Sequence, residues 1–258
     1  MSRQLSPVVA QRNTAWVQRL RELKAEHPCW GYRRLWAYRH FVEQQAINKK
    51  RILRWLREHQ LLVTPNRRLR AKRTPTGTKP QPTKPNEWWG IAMTKVLVEG
   101  MGWIDLVVVL DWHTKMLIGY YAGLQCKSEH WLAALEMAVN RQCPTGVRGQ
   151  GLALMSDNGC QPTSTAFMRV CGSLGIQHAF TSSNNPKGNA DTERVMRTLK
   201  EEGLWLQEWT CPFTLASVLK TWSNDDNEHY LPSALGYKPP RQFERDYHLS
   251  HGTQLPAA

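Results

Sequence analysis

The spacing of apolar and polar positions changes character along the chain. Between Val9 and Ala25 apolar or small residues recur at Val17, Leu20 and Leu23 with charges between them, which predicts a helix. A break at His27-Pro28 precedes Gly31 to Tyr38 and the apolar pair Phe41 and Val42. Asn48 is placed to cap a further helix carrying Ile52, Trp55 and Leu56 at helical spacing. The two helices joined near Gln44–Ile47 resemble a helix-turn-helix. Thr74 to Asn86, with Pro75, Pro80, Pro82 and Pro85, reads as a linker expected to be extended and poorly packed.

Beyond the linker the period shortens. Trp88–Val98, Trp103–Asp111 and Leu117–Ala122 read as three strands of an antiparallel meander, with Val107-Val108-Val109-Leu110 at its centre. A helix over Glu129–Arg141 follows, then a short buried strand at Leu152–Met155, a helix over Thr163–Leu174, a strand at Ile176–Phe180 and a long helix over Asp191–Trp209. This order predicts an α/β class core: a ribonuclease-H-like, five-stranded mixed sheet flanked by helices, preceded by a small all-α helix-turn-helix domain. The expected division is 1–73 for the helical domain, 74–86 for the linker, 87–245 for the core and 246–258 for a C-terminal tail.

Charge sharpens the division. The chain carries a formal net charge of +13. Residues 1–85 hold 20 Lys and Arg against 4 Asp and Glu, whereas residues 86–258 hold 14 against 17. A basic front on a near-neutral body points to a polyanion, with nucleic acid the leading partner. Arg33, Arg34, Lys49, Lys50, Arg51, Arg54, Arg57, Arg67, Arg68 and Arg70 are the candidate DNA contacts of this front, and contacts of this kind supply affinity rather than base choice. The six Cys form no C-x-x-C pair and the nine His are scattered, which suggests neither a zinc site nor a disulfide framework. No apolar run is long enough to span a bilayer and the N-terminus lacks a secretory apolar region, so no membrane role and a cytoplasmic location are expected.

The chemistry is carried by two acids. Asp157 sits in the turn Ser156-Asp157-Asn158-Gly159 at the end of the fourth strand, where α/β sheets gather ligands. Glu193 follows after 35 intervening residues, near the start of the long helix. Asn189, Glu193, Arg197 and Lys200 share one helix face, and Lys187 lies in the loop before it. A carboxylate with cations below it suits a cation and a phosphate backbone. Either motif alone is also an ordinary turn or a surface ion pair worth a few tenths of a kcal/mol by rough estimate.

Together, Ser156-Asp157-Asn158-Gly159, the gap of 35, Asn189-Ala190-Asp191-Thr192-Glu193 and Lys200 resemble the D,D-35-E signature of retroviral-integrase-like transposases. His27-Pro28-Cys29-Trp30-Gly31-Tyr32-Arg33-Arg34-Leu35 is similar to the H-P-x-Y-G-Y-R-R-I start of the helix-turn-helix in insertion-sequence transposases. The resemblance covers roughly residues 25 to 245 and is to the second-frame, catalytic product of such elements. It implies metal-dependent DNA cleavage and strand transfer by a two-metal Mg²⁺ site, with Mn²⁺ as a substitute. It also implies double-stranded DNA ends and target as partners, a homo-oligomer on DNA, and a first-frame partner protein.

One position departs from the family. Its W-x-x-D-x-T pattern places the first catalytic aspartate where Trp89-Gly90-Ile91-Ala92-Met93-Thr94 has Ala92. Asp157 and Glu193 are therefore the expected metal ligands and catalytic residues, with Ala92 the vacant third position. The form as written is expected to fold and bind DNA with little or no catalysis. The alternatives are a non-catalytic DNA-binding regulator derived from a transposase, and a ribonuclease-H-like nuclease. Asp105, on the neighbouring strand, is a weak candidate substitute.

Overall fold

A computed structural model describes residues 7–63, 80–181 and 188–252, with side chains described from residue 13 onwards. Arg67, Arg68, Arg70 and Lys187, together with the first part of the linker, lie outside the described residues. The chain divides into two compact units.

The first unit contains α1 (Pro7–Glu26), α2 (Tyr32–Ala37, continued by a π-helical turn over Tyr38–Val42) and α3 (Lys49–Glu58). Their apolar stripes converge on a core of Val17, Leu20, Leu23, Trp30, Leu35, Ile52, Trp55 and Leu56. The Asn48 side chain accepts the backbone N–H of Lys50 and caps α3 as its sequence predicts. A segment from the far end of the chain, Leu231–Tyr237, belongs to the same unit.

The second unit is a five-stranded mixed sheet between two helical layers. Its strands are β1 (Trp88–Val98), β2 (Gly102–Asp111), β3 (Leu117–Gly123), β4 (Ala153–Ser156) and β5 (Gln177–Phe180), in the order β3-β2-β1-β4-β5. The first three form an antiparallel meander, and β4 and β5 join in parallel. Alternation along β1 sends Trp89 and Ile91 to one face, against Trp131 of α4 (Ser128–Gln142) and Phe167 of α5 (Thr165–Leu174). The other face carries Val96, Val98, Leu106 and Val108 against Met196 and Leu199 of α6 (Ala190–Leu199) and Leu215 and Leu219 of α7 (Pro212–His229). A last helix, α8 (Pro240–His251), runs through residue 245, where the sequence reading ends the core.

Two expectations need correction. The long helix does not reach Trp209: α6 widens into a π turn at Lys200–Leu204 and stops. Trp209 folds back instead, its indole N–H donating to the Leu204 carbonyl while its own carbonyl accepts the Glu99 N–H. This closes one free carbonyl at the helix end and ties the chain to the β1–β2 hairpin. The described part of the linker is not loosely packed either. Glu87 accepts the Thr83 backbone N–H and hydroxyl, Asn86 N–H donates to Asp111, and the Pro82 carbonyl lies 3.2 Å from His113 Nδ1. Proline removes donors but leaves carbonyls, and polar groups of the core satisfy the backbone groups that remain. The sequence reading placed no elements at α7 and α8, although both open on proline at the first helical turn.

Among the described residues no helix is long and apolar enough to cross a membrane.

Candidate active site

β1 and β4 run side by side with Trp88 opposite Ala153 and Gly90 opposite Met155. That offset, carried two residues further, brings position 92 level with Asp157 at the carboxyl ends of the two strands. Ala92 packs towards the cluster containing Met196 and Leu199, and Met155 packs with Val195 and Trp112. Positions 92 and 157 therefore share the α6 face of the sheet, the face to which Glu193 is delivered by its helix.

Asp157 is exposed, and one of its oxygens accepts the Gly159 N–H at 3.0 Å. The turn is held by Asn158, whose amide donates to the Thr181 carbonyl at the end of β5. Asp157 thus keeps an oxygen open to solvent at the carboxyl end of β4 without a buried unpaired charge. Glu193 is also exposed. Neither carboxylate has an ion-pair partner among the described residues: the Glu193–Arg197 pair that helical spacing allows does not form. Of the cations below Glu193, Arg197 is exposed, whereas Lys200 is half-buried with its ammonium 6.0 Å from the Trp205 ring centroid.

The start of α6 is held against β1 by groups the sequence reading missed or placed elsewhere. Asn189 is expected to touch DNA, yet it is 5% exposed and its amide donates to the Ile91 carbonyl at 3.0 Å. Buried against the strand beneath it, the side chain does not present its amide to a phosphate. Trp112 Nε1 donates to the Thr192 hydroxyl at 3.1 Å, and Lys115 pairs with Asp191 at 2.6 Å. Gly90 makes this approach possible, and a glycine inside a strand is the sequence signal for close contact.

Asp105 is not at this site. It faces the α4 layer, opposite Ala92, and is nearly buried with Lys95 3.7 Å away. Asp111 is likewise structural: its carboxylate accepts backbone N–H groups of Asn86, His113 and Thr114, and burial raises its pKa against those bonds.

The first unit sorts its predicted DNA residues by exposure. Lys50, Arg54 and Arg57 lie at i, i+4 and i+7 on the outer face of α3, and Arg33 is exposed on α2. Arg34 is half-buried. Lys49 and Arg51 are used within the unit. The Lys49 ammonium sits 3.8 Å from the Trp36 ring centroid, and Arg51 donates to Asn13 and stacks over Trp55.

Comparison with known proteins agrees with this architecture. Residues 82–186 match the integrase core domain family. The chain is 28% identical over 233 residues to an uncharacterized 31.7 kDa protein of insertion element IS407 from Burkholderia multivorans, covering 90% of this chain and 81% of that one. It is 25% identical over 243 residues to the transposase InsD of insertion element IS2 from Escherichia coli, covering 88% and 77%. The chain carries an integrase core domain over residues 82–186 and is similar along most of its length to insertion-sequence transposases. The fold is similar to that of a chain in the simian T-cell lymphotropic virus intasome solved with the PP2A regulatory subunit B56 gamma, at a TM-score of 0.56 and 18% identity over 86% of this chain and 77% of that one.

The donor set that the sequence predicts is incomplete for two metals. Two carboxylates on separate elements suit one hard cation, but the third position is a methyl group, and no group of three His, Cys, Asp or Glu among the described residues is placed to hold a metal.

Proposed function

We propose that this transposase acts on double-stranded DNA at the ends of its element and at the target, with Asp157 and Glu193 as its catalytic carboxylates, and that Ala92 silences the form described. The observation that carries the reading is the placement of position 92: level with Asp157, on the α6 face, and without a ligand oxygen. A divalent cation such as Mg²⁺ or Mn²⁺, when bound, would neutralise charge on a phosphodiester there. With two carboxylates the chain has donors for one such ion, and no cleavage step follows from this donor set. Arg197 and Lys200, below Glu193, would hold the DNA backbone.

The basic front, residues 1–73, is the proposed DNA-binding module, presenting Arg33, Lys50, Arg54 and Arg57 to phosphates. Copies would assemble on paired ends in the bacterial cytoplasm, with a first-frame protein assisting end recognition. A regulator that keeps the fold only for binding is the second reading, favoured by the combination of an exposed basic α3 face with the missing carboxylate.

The deciding experiment is cleavage and strand transfer of labelled, pre-cleaved element-end DNA in Mg²⁺ or Mn²⁺, with the first-frame partner present, comparing the chain with Ala92→Asp. Activity in Ala92→Asp alone supports the enzyme reading. Activity in both defeats the role given to Ala92. Inactivity in both, with DNA binding intact, favours the regulator.

A further inference from the structure

Glu193 is exposed and makes no ion pair among the described residues, so its position depends on how its helix is seated. The ladder between β1 and β4 ends at Gly90, and the next carbonyl of β1, that of Ile91, accepts the Asn189 side-chain amide at 3.0 Å. Asn189 is the N-cap residue of α6, but its side chain makes no capping bond; it is turned into the sheet, and its Oδ1 is buried with no hydrogen-bond partner among the described residues. That oxygen lies against Gly90. A Cβ at residue 90 would stand 2.0 Å from Thr192 Oγ1, 2.4 Å from Trp112 Nε1 and 2.6 Å from Asn189 Oδ1. Three side chains thus converge on the space that Gly90 leaves, two residues before position 92. Burying an amide oxygen without a partner is unfavourable, and the fold keeps it where the amide's other end grips the strand.

We infer that Asn189 is a positioning residue. Seated over Gly90 and braced by the Trp112–Thr192 hydrogen bond, it fixes the first turn of α6 to the strand that carries position 92, and so fixes where Glu193 stands relative to Asp157. This rests on the reading of Glu193 as a metal ligand, and it takes Asn189 out of the DNA interface. The chemistry served is hard-cation binding between two carboxylates on separate elements, where a small displacement of one ligand opens the site.

The test uses the full chain, with Asn189→Ala and Gly90→Ala as two independent ways of unseating the helix. Hydrogen exchange is compared across the molecule. Either variant is expected to speed exchange at residues 193–199 about 10-fold while α4 stays unchanged, as loss of a local buried hydrogen bond dictates. Unchanged exchange there in both variants, or a rise spread evenly over the core, overturns the inference.

A second arm titrates Mn²⁺ by electron paramagnetic resonance and DNA by fluorescence anisotropy. Mn²⁺ affinity is expected to fall about 10-fold in both variants, with DNA affinity unchanged. Weaker DNA binding by Asn189→Ala with Mn²⁺ affinity intact would make Asn189 a DNA contact and defeat the proposal. Glu193→Gln separates the two layers. If it leaves Mn²⁺ binding untouched, the metal-ligand reading of Glu193 fails, and exchange still decides whether Asn189 pins the helix.

Discussion

Lys49 and Tyr237, from opposite ends of the chain, meet inside the first unit with the ammonium 4.9 Å from the ring centroid. Trp36 completes the cage, edge-on to Tyr237 at 5.3 Å, and Phe41 stacks on Tyr237 at 6.0 Å. A half-buried cation over two rings contributes on the order of 1 kcal/mol. Tyr237→Ala is therefore expected to destabilise the helical unit by roughly that amount, read as a lower midpoint in thermal melting. Lys49→Ala should do the same, and a melting curve indistinguishable from that of the parent would refute the cage.

The outer face of α3 makes a different prediction. Lys50, Arg54 and Arg57 are exposed, and among the described residues Arg54 pairs with Glu58 on its own helix, at 3.7 Å. Each alanine substitution should leave stability nearly unchanged and weaken DNA binding, lowering the slope of log affinity against log salt by about 1. Salt titrations of binding to duplex DNA measure this directly. An unaltered slope in all three variants would remove α3 from the interface.

Glu244 couples stability to pH. It lies on α8, 5% exposed, and its carboxyl is pushed up from 4.5 to about 7, first by burial and next by the negative charge of Asp111. Arg241, Arg245 and a hydrogen bond with Gln142 pull the other way. The folded state therefore holds this proton longer than the unfolded state does. The associated stabilisation is complete below about pH 4.5, falls as the pH rises towards 7, and changes little above that. Glu244→Gln, which stays neutral, should flatten this part of the profile and raise stability at pH 8 by on the order of 2–3 kcal/mol. Urea unfolding at pH 5 and pH 8 tests it; equal pH dependence in the two proteins would exclude Glu244 as the source.

Asp105 should prove dispensable for chemistry. One of its oxygens is buried without a hydrogen bond, and its ion pair is with an exposed lysine. Asp105→Asn is expected to leave strand transfer by Ala92→Asp unaltered and stability unchanged or slightly higher, because a partly desolvated charge is removed. A clear loss of strand transfer would return Asp105 to the site.

How much of this was legible beforehand depends on the range of the interactions. Helical spacing at Ile52, Trp55 and Leu56, the Asn48 cap and the alternation along β1 are local patterns, and each element formed where its period placed it. The fold class could be read because three adjacent strands followed by alternating helices and strands leave few topologies, whereas the order of strands in the sheet came from the structure. Asp157 and Glu193 were legible as a spaced pair. By contrast, the end of α6 was misjudged because Trp209 turns back on the Leu204 carbonyl, which no helical period records. The burial of Asn189 was misjudged because its partner, Ile91, is remote in sequence.

The sequence by itself determined the elements, the basic front, the two acids and the alanine in the third position, since these are matters of residue type and short-range period. Only the tertiary structure decided that Ala92 comes level with Asp157 while Asp105 faces the opposite layer, because strand register and pleat assign each side chain to a face. Only it decided, too, that Asn189 and Lys49 are used inside the protein while Lys50, Arg54 and Arg57 remain on its surface. A polar side chain is committed by the partners that folding brings to it, and those partners are set by packing between distant segments.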